Sequence, residues 1–169
     1  MKIRPALRAE LNEVHAIVRA ATFHMEEQGI FQWDEVYPNR DVLRDDIEKR
    51  ELHVLEVNRG LVAFAVINEE QSPDWAKADW QYAGQPLTVH RLTVDPAFQR
   101  RGFAMRLMDF VEGTAAKGGY DCIRLDAFTQ NPAAFGLYEK RGYRKAGIVP
   151  FRKGEFFCYE RKIHSLPGS

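Results

Sequence analysis

Apolar residues recur along this chain in two rhythms, one helical and one alternating. Between Leu7 and Ala21 the apolar positions Leu11, Val14, Val18 and Ala21 fall at helical spacing, so a first helix is predicted there, after a short strand opened by Ile3. Residues 22–38 are mixed and aromatic-rich, with Phe23, Phe31, Trp33 and Tyr37 set among Glu26, Glu27 and Gln32, and with Gly29 interrupting them. Asn39 is placed to cap a second helix through Asp41, Leu43 and Ile47. Strands are predicted at 52–57 and 61–67, joined by an Asn58-Arg59-Gly60 turn, and at 87–94. Between them, 69–85 is a long polar and aromatic loop carrying Trp75, Trp80 and Tyr82. A third helix, 101–117, shows the stripe Ala104, Leu107, Met108, Val111 and Ala115, and Gly118-Gly119 ends it. A strand at 123–128 follows. Asn131-Pro132 then starts a fourth helix, which stops at Gly142. The last strands are expected at about 143–148 and 156–163. Hairpins demand antiparallel pairing, while the helix between Val94 and Ile123 suits a parallel crossover. The fold class expected is α/β (α+β): one domain over residues 1–164, with a mixed, mostly antiparallel sheet of about seven strands and helices on both faces. Residues 165–169 read as a frayed tail or an expression remnant.

Composition narrows the function classes. Lys plus Arg equals 24 and Asp plus Glu equals 24, so the net charge is zero. That balance argues against a chain whose main task is coating nucleic acid or anionic membrane, and neither is expected as a partner. No apolar run approaches the roughly 18 residues of a membrane span, and no apolar stretch after Lys2 and Arg4 suggests a signal peptide. Cys122 and Cys158 form no zinc spacing and no CxxC, which suits reduced thiols in a cytoplasmic protein.

The chemistry is concentrated in two segments. In Val94-Asp95-Pro96-Ala97-Phe98-Gln99-Arg100-Arg101-Gly102-Phe103-Ala104, a strand ends, a loop follows and an amphipathic helix begins. Amides at a helix start lack intrahelical partners and can cradle an anion. Gly102 lets a ligand approach the backbone, and Arg100 and Arg101 suit phosphate oxygens. A phosphate or pyrophosphate site is one reading; an ordinary helix start with two solvated arginines is the other. The segment is neither a P-loop nor a GxGxxG fingerprint. The second segment runs Asn131-Pro132-Ala133-Ala134-Phe135-Gly136-Leu137-Tyr138-Glu139-Lys140-Arg141-Gly142-Tyr143. Asn131 and Tyr138 stand two helical turns apart on one face, although a helical tyrosine commonly serves packing.

Taken together, these segments resemble the GNAT superfamily of acyl-CoA-dependent N-acetyltransferases. Residues 99–104 match its Q/R-x-x-G-x-G/A pyrophosphate loop. Residues 131–143 are similar to its N-x-x-A-x-x-L-Y-E-K-x-G-F segment, with Tyr143 where phenylalanine is usual. The resemblance covers about Thr88 to Gly147. It implies acetyl-CoA as co-substrate with no metal, and central strands that splay to admit pantetheine between the one ending at Val94 and the one at 123–128. Backbone at Leu92 and Val94 would bond the pantetheine arm, and the Leu92 N–H would polarise the thioester carbonyl. Gln99, Arg100, Arg101, Gly102, Phe103 and Ala104 would hold the pyrophosphate. Asn131 would hydrogen-bond the pantetheine, and Tyr138 would protonate the departing thiolate. Arg106 either reaches the nucleotide end or is a solvated helix arginine.

The implied activity is transfer of an acetyl group to an amine by direct attack on the thioester. The alternative is a non-catalytic acyl-CoA sensor or assembly module. Candidate bases are His90, Asp126, Glu26 and Glu27. His90 shares a strand face with Leu92 unless a bulge intervenes, and a plain sheet histidine explains it as well. Asp126 shares a face with Arg124, and an ion pair between them is the competing reading. Phe31, Gln32 and Trp33, with Asp126 and the Trp75–Tyr82 loop, are candidates for walls of the acceptor pocket, or else for an aromatic cover on the core. The acceptor expected is a small-molecule or peptide amine, and the chain leaves room for a homodimer.

Overall fold

A computed structural model describes residues 1–164; residues 165–169, the expected tail, lie outside the described residues. The described elements run β1 (Lys2–Pro5), α1 (Leu11–Glu27), α2 (Arg40–Glu48), β2 (Leu52–Val57), β3 (Gly60–Asn68), β4 (Pro86–Val94), α3 (Phe103–Lys117), β5 (Cys122–Phe128), α4 (Pro132–Lys140), β6 (Arg144–Phe151) and β7 (Gly154–Lys162). The strands form a mixed sheet in the order β1-β2-β3-β4-β5-β7-β6. The β1–β2, β2–β3, β5–β7 and β6–β7 ladders are antiparallel, and β4 with β5 is parallel as the crossover helix requires. That parallel ladder runs only from Pro86↔Cys122 to Thr88↔Arg124, whereas β5 pairs with β7 along its whole length to Phe128↔Phe156.

Two elements differ from their sequence outlines. Helix α1 runs past Ala21 to Glu27, and the backbone then closes through Gly29 N–H to Glu26 O and Ile30 N–H to Met25 O. Gly29 has φ +75, the left-handed conformation that ends helices cheaply at glycine. The 69–85 loop contains a one-turn 3-10 segment at Pro73–Lys77, capped by the Ser72 hydroxyl.

The chain divides into two compact units, residues 1–67 with 91–108 and residues 68–90 with 109–164. In the first, β2 and β3 alternate so that Val54, Phe64 and Val66 meet Val14, Ile17 and Val18 of α1 and Leu43 and Ile47 of α2. The opposite face, Leu55, Val62, Ala63 and Ala65, packs on Leu107 of α3 with Leu92, Val94 and Phe103 beside it. In the second unit, Trp75, Ala146, Val149 and Cys158 form a core cluster flanked by Trp80, Phe151 and Phe156. Buried Glu160 anchors the preceding loop there, accepting from the amides of Gln81 and Tyr82 and from Arg144.

Candidate active site

In the first unit, residues 95–106 make a tight loop leading into α3. The Asp95 carboxylate accepts from the Ala97 amide at 3.0 Å, and Arg101 lies over the Phe98 ring at 5.3 Å. Arg100 and Gly102 both take positive φ, +64 and +82. A Cβ built at Gly102 would meet nothing within 4 Å, so space stands open in front of that backbone. The helix starts its own bonding with Arg106 N–H to Gly102 O, leaving the amides ahead of it without intrahelical acceptors. Gln99, Arg100, Arg101 and Gly102 are exposed, with Phe103 and Ala104 half-buried behind them. This is an exposed cationic rim around directed N–H groups, the chemistry a pyrophosphate needs. Arg106 is exposed on the next turn.

Strand β4 carries an irregularity that the sequence left conditional. Arg91 has φ +53, an unusual conformation for a residue with a Cβ, and it breaks the two-residue alternation between His90 and Leu92. The break is held in place. The Arg91 guanidinium grips both oxygens of Asp46 at 2.9 and 2.7 Å and donates to the Tyr37 hydroxyl at 2.7 Å, while the Thr93 hydroxyl donates to Arg91 O. Leu92 and Val94 then place their side chains against the first unit's core. His90 instead stacks on Trp75, with ring centroids 5.9 Å apart. Its Nε2 lies at 3.0–3.1 Å from Asn68 Oδ1, Glu70 O and the Thr88 hydroxyl, the surroundings of a hydrogen-bonded sheet histidine.

The second unit holds Asn131, Tyr138 and Asp126. Asn131 caps α4, its Oδ1 accepting from the Ala134 amide at 3.3 Å. Two turns on, Tyr138 is buried, its ring packed near Tyr143 and Tyr159. Burial, reinforced by the negative charge of Asp126, pushes the Tyr138 phenol above its ordinary value, so it carries its proton at neutral pH. Asp126 does not pair with Arg124. Its Oδ2 accepts from Trp75 Nε1 at 2.9 Å, while Arg124 stacks on the Trp80 ring and donates to Gln71 Oε1 and Tyr82 O. Protein crowds the Asp126 carboxyl, although part of the residue stays accessible. Desolvation raises it to about 6 against the opposing Trp75 bond. The buried Cys158 thiol, pushed up to about 12 by burial and then by Asp126, is inert as a nucleophile at neutral pH.

The remaining candidates disperse. Trp33 enters the first unit's core beside Leu43 and Val14, Gln32 is half-buried, and Phe31 is 56% exposed. Glu26 and Glu27 are exposed on the last turn of α1. Trp75, expected in a loop wall, is 1% exposed and acts as core and as hydrogen-bond donor. No group of His, Cys, Asp and Glu suited to a metal occurs among the described residues, and no described helix is long and apolar enough to cross a membrane.

Residues 13–143 match the model of the acetyltransferase (GNAT) family. The chain belongs to that family. A GNAT enzyme transfers acetyl from acetyl-CoA, and that is the activity of this chain. Among its relatives, the [ribosomal protein bS18]-alanine N-acetyltransferase of Escherichia coli K12 is 26% identical over 129 residues, 76% of each chain. The N-alpha-acetyltransferase RimI of Mycobacterium tuberculosis is 39% identical over 64 residues, 36% of each. A GNAT-family acetyltransferase structure from Streptococcus agalactiae superposes with TM-score 0.84 at 24% identity, covering 98% of this chain and 96% of that one. Sequence reasoning missed three partners in this GNAT chain: Trp75 for Asp126, and Asp46 and Tyr37 for Arg91. The positive φ at Arg91 has no local sequence signal, since that conformation is favoured by glycine and asparagine rather than arginine.

Proposed function

We propose that this acetyltransferase acetylates a peptide or small-molecule amine by direct attack on the thioester, with Asp126 and Tyr138 managing the two protons. The observation that carries this reading is the electrostatic coupling of a protonated, buried phenol to a carboxylate titrating near 6. The amine nitrogen forms a bond to the acetyl carbon, the carbon–sulfur bond breaks, an N–H proton passes to Asp126, and the Tyr138 proton passes to sulfur. The order matters physically. While Asp126 is ionised, its charge keeps Tyr138 a weak acid; once Asp126 takes the amine's proton, that charge is gone and the phenol donates more readily. The protonated Asp126 can then return a proton to the phenolate, resetting both groups.

Acetyl-CoA binds in this reading with its phosphates on Gln99, Arg100, Arg101, Gly102, Phe103 and Ala104, its pantetheine on Asn131 and on backbone at Leu92 and Val94, and its carbonyl on the Leu92 N–H. Phe31 and Gln32 serve the acceptor, and His90 orders Trp75 through their stack. Residues 1–164 act as one domain. Two buried cysteines carried as free thiols support a cytoplasmic setting. Because one relative is a [ribosomal protein bS18]-alanine N-acetyltransferase and another an N-alpha-acetyltransferase, peptides beginning with alanine are the first acceptors to try. The test mixes the protein with acetyl-CoA and a panel of such peptides and small amines, following thiol release. Thiol release dependent on one acceptor class supports the reading. Tight acetyl-CoA binding without turnover on any amine would favour a sensor instead.

A further inference from the structure

Three contacts within the first unit converge on the residue directly before Leu92. Arg91 takes φ +53, a conformation that suits glycine or asparagine and costs an arginine free energy. Such backbone persists only where its surroundings enforce it. Asp46, one of the buried residues of α2, takes the Arg91 guanidinium on both carboxylate oxygens, and the two side chains are only 6% and 12% exposed. Tyr37 accepts from the same guanidinium and lies beneath it, 5.8 Å from the guanidinium carbon to the ring centroid. Tyr37 is itself seated, because its amide donates to the Asp34 carboxylate and its carbonyl accepts from the Asp34 N–H, both at 3.1 Å. A planar, forked guanidinium can hold a carboxylate and a phenol at once. The third contact falls on the backbone: the buried Thr93 hydroxyl donates to Arg91 O at 2.8 Å. That oxygen and the Leu92 N–H belong to one planar, trans peptide unit, so they point in opposite directions and fixing one fixes the other. Ordinary extended backbone would need no such grip.

We infer that Arg91 and Thr93 are positioning residues for acetyl transfer, set by Asp46 and Tyr37 so that the Leu92 N–H is held toward the thioester carbonyl. The inference rests on the reading that this N–H polarises that carbonyl, and it adds which side chains aim it. It does not depend on the roles of Asp126 and Tyr138. A donor aimed in advance needs no reorganisation as charge grows on the carbonyl oxygen. Loosening the clamp misdirects the N–H while leaving the contacts to the rest of acetyl-CoA in place.

The test reads the carbonyl itself, by infrared difference spectra of acetyl-CoA isotope-labelled at the acetyl carbonyl carbon and bound to the protein without an acceptor. In the wild type the carbonyl band should lie at lower frequency than in free acetyl-CoA, as for a carbonyl that accepts a hydrogen bond. Thr93→Val keeps the side-chain shape and deletes the hydroxyl, and Asp46→Asn removes the charge that holds the guanidinium. In each the band should return most of the way to its free position, while calorimetry shows acetyl-CoA affinity little changed. Adding Arg91→Gly to Asp46→Asn should recover part of the displacement, since glycine takes positive φ unaided. A wild-type band at the free position, with acetyl-CoA bound, overturns the Leu92 reading and this inference with it. A displaced band that stays displaced in Thr93→Val, or in a folded Asp46→Asn, overturns the clamp and leaves the Leu92 reading standing. If Asp46→Asn does not fold, Thr93→Val decides alone. No recovery in the double variant overturns the claim that the clamp acts by holding φ at Arg91.

Discussion

Replacing Asp126 with Asn tests whether the surrounding protein desolvates this carboxyl. Asparagine keeps the shape, and its Oδ1 can still accept from Trp75 Nε1, so the bond at 2.9 Å survives while the titratable charge disappears. In the folded chain Asp126 titrates at about 6, raised from 3.8. A carboxyl with a raised folded value holds its proton more tightly when folded, so its contribution to stability is fully present below pH 3.8 and is lost as pH climbs through about 6. The span is roughly two pH units at about 1.4 kcal/mol each, so ionised Asp126 costs the native state about 3 kcal/mol at neutral pH. That is an upper figure, because part of the residue reaches water.

The substituted amide brings its own penalty, an added N–H₂ needing an acceptor, of about 1–3 kcal/mol, but this does not change with pH. The diagnostic quantity is thus the pH dependence of the difference between the two proteins, in which other titrating groups cancel. Urea unfolding at about pH 4.5 and about pH 8 should show Asp126→Asn gaining about 2 kcal/mol on the wild type across that window. A difference that stays constant between the two pH values would mean that Asp126 titrates as an ordinary solvated carboxylate. The proton-transfer scheme would then lose its acceptor.

Three further outcomes follow from the same geometry. Trp75→Phe deletes the donor that opposes desolvation, so the acid limb of the kcat/KM profile should move upward from about 6; an unmoved limb assigns it to another group. Tyr138→Phe keeps the packing on Tyr143 and Tyr159, so acetyl-CoA affinity should hold while single-turnover transfer falls by roughly two orders of magnitude, and a near-normal rate removes the phenol from the mechanism. Gly102→Asp sets a carboxylate in the open space before the loop, at φ +82, and calorimetry should show acetyl-CoA affinity lowered at least tenfold; unchanged affinity in a folded variant moves the phosphates elsewhere.

What could be read in advance was whatever a short window of sequence encodes. The stripe Leu107, Met108, Val111 and Ala115 defines α3 because each of those residues is buried at helical spacing, and the alternation through Val54 and Phe64 defines paired strands for the same reason. Past Ala21 the turns of α1 carry exposed Phe23, Glu26 and Glu27, so no rhythm announces that the helix continues. The turn at 99–104 was legible because a glycine before an amphipathic stripe marks where a loop hands over to a helix, and Gly102 does take positive φ there.

The surroundings of Asp126 and Arg91 had no such window. Asp126 draws its character from Trp75, 51 positions away, and the turn of backbone at Arg91 is secured by Asp46, 45 positions away, and Tyr37, 54 away. Sequence placed Asp126 beside Arg124 on one strand face, and an adjacent cation would have depressed the carboxyl. The fold turns Arg124 onto the Trp80 ring instead and gives Asp126 a neutral indole donor. A neutral donor leaves desolvation uncompensated, so the carboxyl rises toward neutrality rather than falling. The exchange of one partner for another, invisible in spacing, separates a structural ion pair from a group able to take a proton at physiological pH.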